Sequence, residues 1–223
     1  MILITSFALS KNDARNAELA FALRKNVDNR LISQIYIITE DVRVSELTRD
    51  MQKISVSKAD DRVTFKVLVD FANTLNDTVI VANSDIIFDD SLRTPPPGVV
   101  FCLTRWIPDI CANGNVHLVR VWEESAGMSF DSYIFKPPIT IDSLDFPIGI
   151  LGCDGKFAYE LHRAGLHVVN PSRTIRSGHV HGSGHRTYGY GDNDWIKGSY
   201  LRIGITSSLE YNPNLIAVHR TVV

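Results

Sequence analysis

Three aspartates and a pair of histidines in this chain stand where regular structure starts or stops, and their side chains suit work on a phosphorylated substrate. Asp85 ends the triplet Asn83-Ser84-Asp85, which directly follows the apolar run Val79-Ile80-Val81-Ala82 and precedes Ile86-Ile87-Phe88. A carboxylate at the carboxyl end of a buried strand is where α/β folds place their ligands. Taken alone, the triplet also reads as a strand-ending turn, because Asn, Ser and Asp all favour turns. Asp131 precedes the strand-like run Ser132-Tyr133-Ile134-Phe135, where a turn-capping acid fits equally well. Asp154, in Gly152-Cys153-Asp154, opens a helical pattern. As an N-cap it would contribute about 1 kcal/mol with no further role, and capping does not prevent a catalytic one.

His179-Val180-His181 places two imidazoles at i and i+2, on the same side of an extended segment. So placed, they can share one metal ion or one phosphate, although histidine pairs are also common as surface or core residues. A carboxylate and a histidine from separate loops are a common means of holding a divalent ion that keeps positions open for a substrate phosphate. Residues 177–191 contain five glycines, three histidines, Arg186, Tyr188 and Tyr190, the composition of a mobile loop with functional side chains. Arg186 suits neutralising a diphosphate there, or is an ordinary exposed arginine.

Alternating elements must position these groups. Ile2–Phe7 reads as a strand, followed by an Asn12-Asp13 cap and a helix with Ala14, Ala17, Phe21 and Leu23 on its apolar face. Strands follow at 34–39 and 54–57, then a helix capped by Asp60 or Asp61 that carries Phe65, Leu68, Ala72 and Leu75, then the strand at 78–82. This alternation predicts a largely parallel sheet with helices on both faces and strand carboxyl ends along one rim. After Pro95-Pro96-Pro97-Gly98 the pattern becomes mixed: strands at 99–104 and 116–122, a helix at 154–164 stopped by Gly165, and a short strand at 168–171. The expectation is one α/β domain over 1–223, with a parallel half at 1–94 and a mixed half at 98–223.

Composition excludes several classes. A net charge of −2 gives no generic attraction to nucleic acid. Cys102, Cys111 and Cys153 are odd in number and form no CxxC, which favours a reducing, cytoplasmic setting over a disulfide framework. No apolar run approaches the roughly 18 residues of a membrane span, which leaves peripheral contact with a membrane surface open. Neither GxGxxG after the first strand nor GxxxxGK[ST] occurs, which argues against a nicotinamide-dependent Rossmann enzyme and a P-loop NTPase. Gly182-Ser183-Gly184 lies in a loop, so a hydrolase elbow is poorly supported.

The ordered segments Val79–Ile86, Cys102–Trp106, Asp131–Lys136, Gly152–Asp154 and His179–His181 resemble those of a glycosyltransferase of the GT-A fold. The resemblance spans most of the chain and is to small bacterial and viral glycosyltransferase-like proteins, a chlorovirus glycosyltransferase domain among them. It implies a nucleoside diphosphate sugar as donor, a UDP-sugar first, and a glycan acceptor, such as a surface or capsular glycan. Asn83-Ser84-Asp85 then stands for a modified DxD motif, with Asp85 holding Mn²⁺ or Mg²⁺, Asn83 and Ser84 beside the ribose or sugar, and His179 or His181 completing the metal sphere. Thr5, Ser6, Arg15, Lys58 and Asp60 are the implied nucleoside contacts, and Arg186 a diphosphate contact. Asp154 is the first choice for the acceptor-side base and Asp131 the second; in a retaining enzyme the same acids would steady the cationic sugar. Two other readings stand beside this one. A nucleotidyltransferase that makes a nucleotide sugar would carry a glycine-rich basic loop after its first strand, and Thr5–Asp13 has one lysine and no glycine. A non-catalytic nucleotide-sugar-binding domain draws its support from Asn83 in place of an aspartate.

Overall fold

The computed structural model describes residues 1–111, 115–120, 127, 129–184 and 195–220. Its strands are β1 (Ile2–Ser6), β2 (Gln34–Thr39), β3 (Ile54–Lys58), β4 (Val79–Asn83), β5 (Ile86–Phe88), β6 (Val99–Leu103), β7 (Ile107–Ile110), β8 (Val116–Val119), β9 (Ser132–Phe135), β10 (His167–Val169), β11 (Ser177–His179), β12 (Ser199–Ile203) and β13 (Ile216–Arg220). The helices are α1 (Asp13–Asp28), α2 (Arg43–Leu47), α3 (Phe65–Ala72) and α4 (Cys153–Arg163).

The protein is an α/β molecule built on one seven-stranded sheet in the order β10-β6-β9-β4-β1-β2-β3. Strands β1 to β4 pair in parallel, as the alternation in the first half predicts. The mixed second half extends that same sheet: β9 runs antiparallel between β4 and β6, and β10 is parallel to β6. Successive residues of β1 feed opposite faces. Leu3 packs with Leu19 and Leu23 of α1, whereas Ile4 packs with Leu68 of α3 and Phe157 and Leu161 of α4. Fully burying each such side chain is worth roughly 1.5–3 kcal/mol, so packing on both faces dominates the fold's stability.

Local chemistry fixes the helix ends. Asn12 caps α1 as expected, its side chain accepting the Arg15 N–H at 3.0 Å. The buried face is Leu19, Ala22, Leu23 and Asn26, while Ala14 and Ala17 are exposed. The α3 cap falls on Thr64 and not on Asp60 or Asp61. Val63 is buried and Thr64 bridges Pro147, so the chain stays extended through both before it turns. Leu75 lies beyond the end of that helix. Gly152, at φ +80, precedes α4, so Asp154 lies inside its first turn and is not the cap. Gly165, at φ +86, follows its end as expected. Strand β8 stops at Val119, and positions 121–122 lie outside the described residues.

One small ribbon matters most for the site. β5 leaves the end of β4 and pairs antiparallel with β11, His179 opposite Ile86. Its other edge is satisfied by the buried Asn26 of α1, which donates to the Ile86 carbonyl at 2.7 Å and accepts the Phe88 N–H at 3.1 Å. A side-chain amide thus does the work of a third strand. On β11, a Cβ at Gly178 would run into Leu118 Cδ2 and lie 2.9 Å from Ile87 Cγ1. Gly178→Ala is expected to destabilise the fold by about 1–3 kcal/mol through overpacking, measured by urea unfolding; unchanged stability would show that the ribbon has slack.

Candidate functional site

The carboxyl rim of the sheet gathers polar groups from five strands. Strand order reverses between β1 and β4, the position where α/β sheets open a crevice, and Ser6 and Asn83 are register partners across it. β9 runs the other way, so its amino end lies on this same rim and brings Asp131 to it. Asn83 fastens the junction: its N–H donates to the Asp131 carbonyl at 3.0 Å and its amide to Asp131 Oδ1 at 3.3 Å. A cavity of about 580 Å³ opens here, lined among others by Ser6, Arg15, Glu40, Asn83, Asp85, Arg105, Asp131, Asp154, His179 and His181. That volume suits a small-molecule ligand.

Asp85, in the turn between β4 and β5, is 5% exposed and surrounded by cationic or ionisable groups. Arg15 of α1 forms an ion pair with its Oδ2, and also bonds Glu18 at 3.0 Å and the Val180 carbonyl at 3.0 Å. His179 Nε2 lies 3.0 Å and His181 Nδ1 3.9 Å from the same oxygen, and the two imidazoles stack with centroids 5.2 Å apart. Burial alone would raise the Asp85 pKa, but the His179 hydrogen bond and charge, with Arg15, outweigh it and hold the carboxyl well below its usual range. His181 is shifted down, by burial first and then by the Arg15 charge. Ligand atoms of Asp85, His179 and His181 all fall within 4.8 Å of one another, a group able to hold a metal ion.

The hydrogen bonding distinguishes these donors. Arg105 NH1 lies 3.0 Å from His179 Nδ1, and a guanidinium only donates, so in the neutral ring Nδ1 accepts and Nε2 keeps the proton facing Asp85. Asp85 Oδ1 and both ring nitrogens of His181, by contrast, are buried and carry no hydrogen bond. These are the atoms a cation can take without breaking an existing bond, and their chemistry fits a divalent ion.

Arg105 links this cluster to a second one. Its Nε lies 2.9 Å from Asp131 Oδ2 as an ion pair without hydrogen-bond alignment, and NH2 donates to Ser129 Oγ at 3.1 Å. Asp154 Oδ2 accepts the Phe130 N–H at 3.0 Å. Burial and then the charge of Asp131 raise the Asp154 pKa, against opposing backbone hydrogen bonds. Cys153, also in the lining, has its thiol pushed up to about 12 by burial and by Asp154, so it remains neutral and is no nucleophile. All three cysteines are free thiols.

The sequence-derived candidates divide by location. Ser6, Arg15, Asn83, Ser84, Asp85, Asp131, Asp154, His179 and His181 line the cavity together. Thr5 is buried, its hydroxyl donating to the Ala82 carbonyl at 2.8 Å. Lys58 lines a separate cavity of about 150 Å³ with Thr39 and Asp41, and Asp60 lines neither. Arg186 lies outside the described residues. Three charged lining residues escaped the sequence reading: Glu40, Arg62 and, as a side chain with a role, Arg105. Glu40 had a signal, being an acid directly after strand β2, where such folds bind ribose hydroxyls.

No protein-family model and no curated protein matches this chain. Among solved structures it is similar to 4-diphosphocytidyl-2C-methyl-D-erythritol synthase from Anaerococcus prevotii, at 9% identity and a TM-score of 0.32, over 53% of this chain and 62% of that one. The chain thus spans under two thirds of that protein, and a likeness of this degree leaves function to be read from the site. Among the described residues no helix is long and apolar enough to cross a membrane.

The buried Asp85 has a measurable signature. Its folded pKa lies below the unfolded value of roughly 3.9, so its stabilisation is complete above that pH and is lost as pH falls through and below it. Asp85→Asn is expected to cost about 1–3 kcal/mol at pH 7, with the gap to wild type narrowing below about pH 4 in urea unfolding. A gap independent of pH would mean that folding leaves the Asp85 pKa unchanged.

Proposed function

We propose that this protein is a metal-assisted glycosyltransferase that moves a sugar from a nucleoside diphosphate sugar to a glycan hydroxyl. The observation that supports it is the placement of the Asp85, His179 and His181 group and the Asp131 and Asp154 pair in one cavity at the sheet's switch point. The GT-A resemblance of the ordered motifs agrees with it, as does the strand order with its single reversed strand.

In this reading Asp85 and His181 hold Mn²⁺ or Mg²⁺. His179 is the weaker candidate, because a metal-bound imidazole ordinarily donates its second nitrogen to an acceptor and here that nitrogen faces the Arg105 guanidinium. When bound, the ion supplies positive charge beside the departing diphosphate. The protein's own groups do the rest. Ser6 and Glu40 sit where a nucleoside would lie, the acid receiving ribose hydroxyls. Asn83 and Asp131, already joined, present an amide and a carboxylate to sugar hydroxyls. Asp154 takes the proton from the attacking hydroxyl as its oxygen bonds to the anomeric carbon and the diphosphate leaves with the bonding pair. The raised pKa suits it to that task.

A thermal-shift series with UDP-, GDP-, dTDP- and CMP-sugars, with and without Mn²⁺, tests the donor: one nucleotide should stabilise the protein, and only with metal. Asp85→Ala should remove that metal-dependent shift. Product analysis then separates the chemistries, since glycosyl transfer releases a nucleoside diphosphate and nucleotidyl transfer releases or consumes pyrophosphate. Asp154→Asn should lower kcat by about 10²–10⁴-fold while leaving donor affinity unchanged. Full turnover in Asp85→Ala would sink the assignment, and full turnover in Asp154→Asn would move the base elsewhere.

A further inference from the structure

The arginines lining the cavity are already committed, with one exception. Glu40, Asp85, Asp131 and Asp154 are its acids, and Arg15, Arg62 and Arg105 are its arginines; no lysine appears in the described lining. Arg15 is held by Asp85, Glu18 and a carbonyl, and Arg105 by Asp131, Ser129 and His179. Arg62 alone among these arginines has no hydrogen bond or ion pair among the described residues, and its side chain is exposed. A polyanionic ligand entering this cavity meets four carboxylates and two neutralised guanidiniums, so among the lining side chains the third guanidinium is the uncommitted cation.

The backbone beneath Arg62 is rigid although its side chain is free. Ile148 N–H donates to the Val63 carbonyl at 3.2 Å, Thr64 bridges Pro147, and Phe65 N–H donates to the Phe146 carbonyl at 3.1 Å. Val63 and Phe65 are each 1% exposed. Arg62 therefore projects from a fixed ledge that joins the loop after β3 to the wall at 148–152, the segment leading into Asp154. A fixed base with a planar, uncommitted fork is suited to gripping a phosphate through two parallel hydrogen bonds.

We propose that Arg62 binds the diphosphate of a nucleoside diphosphate ligand and is the lining side chain that supplies uncommitted positive charge to it. The assignment rests on the nucleotide-sugar reading above. The partner of Arg62 arrives with the ligand, whereas Arg15 and Arg105 are committed to the site's acids.

Calorimetric titration of UDP, GDP and dTDP, and of uridine, guanosine and thymidine, against wild type, Arg62→Gln and Arg62→Lys in Mn²⁺ tests this. For the diphosphate that binds wild type, Arg62→Gln is expected to weaken binding about 10–100-fold, while affinity for the matching nucleoside changes less than about twofold. Arg62→Lys should recover part of the loss, because it restores charge without the fork. Both variants should melt within a degree or two of wild type, since the side chain supports nothing else. Diphosphate binding that survives in Arg62→Gln, or an equal loss for nucleoside and diphosphate, overturns the role of Arg62 and leaves the nucleotide-sugar reading standing. Wild type that binds none of the three diphosphates overturns that reading, and the role with it.

Discussion

A carboxylate that is almost wholly buried, held charged at the end of a central strand, is the constraint around which this molecule is arranged. Removing the ionised Asp85 from water is unfavourable unless opposite charge and hydrogen bonds replace the lost hydration. The replacements come from distant parts of the chain: Arg15 from the first helix and His179 from β11. Each then needs its own support, which Glu18 and the Val180 carbonyl give to Arg15 and Arg105 gives to His179. Through Arg105 the compensation reaches Asp131, so two acid centres share one cation network.

The sheet makes that network possible by a single reversal. Strands running alike would send their carboxyl ends to the rim and their amino ends away from it. Because β9 runs against its neighbours, the residue just before it reaches the rim together with the last residue of β4 and a residue just after β6. Asp131, Asn83 and Arg105 meet there as a consequence of strand direction, and hydrogen bonds across the junction lock the arrangement.

Much of this was legible in the sequence where the signal was local. The period of the strands and helices in the first half, the Asn12 cap, the stop at Gly165 and the i, i+2 histidines each depend on neighbouring residues. Asp85 was legible because a polar triplet interrupted an apolar run. What stayed hidden depended on partners far along the chain. Ala14 and Ala17 look as apolar as Ala22, and only tertiary packing chooses between them. Asp60 and Thr64 are both good caps, and the pairing of Thr64 with Pro147 selects the later one. The commitment of Arg105 to Asp131 and His179 has no trace in the spacing of those residues, and neither does the distance of Lys58 from the main cavity.

The β5 and β11 ribbon ties the site to the order in which the chain becomes structured. The contact between His179 and Asp85 joins residues 94 apart in sequence, and that between Arg15 and the Val180 carbonyl joins residues 165 apart. Such contacts close large loops, and the entropy of closure favours their formation after the local strands and helices are in place. The group able to hold a metal therefore does not exist in a partly folded chain. An ion that finds it would join the turn after β4 to the segment around β11, 94 residues further on. Metal occupancy would then report completed folding, and a chain arrested before β11 forms would leave Asp85 with Arg15 but without either histidine.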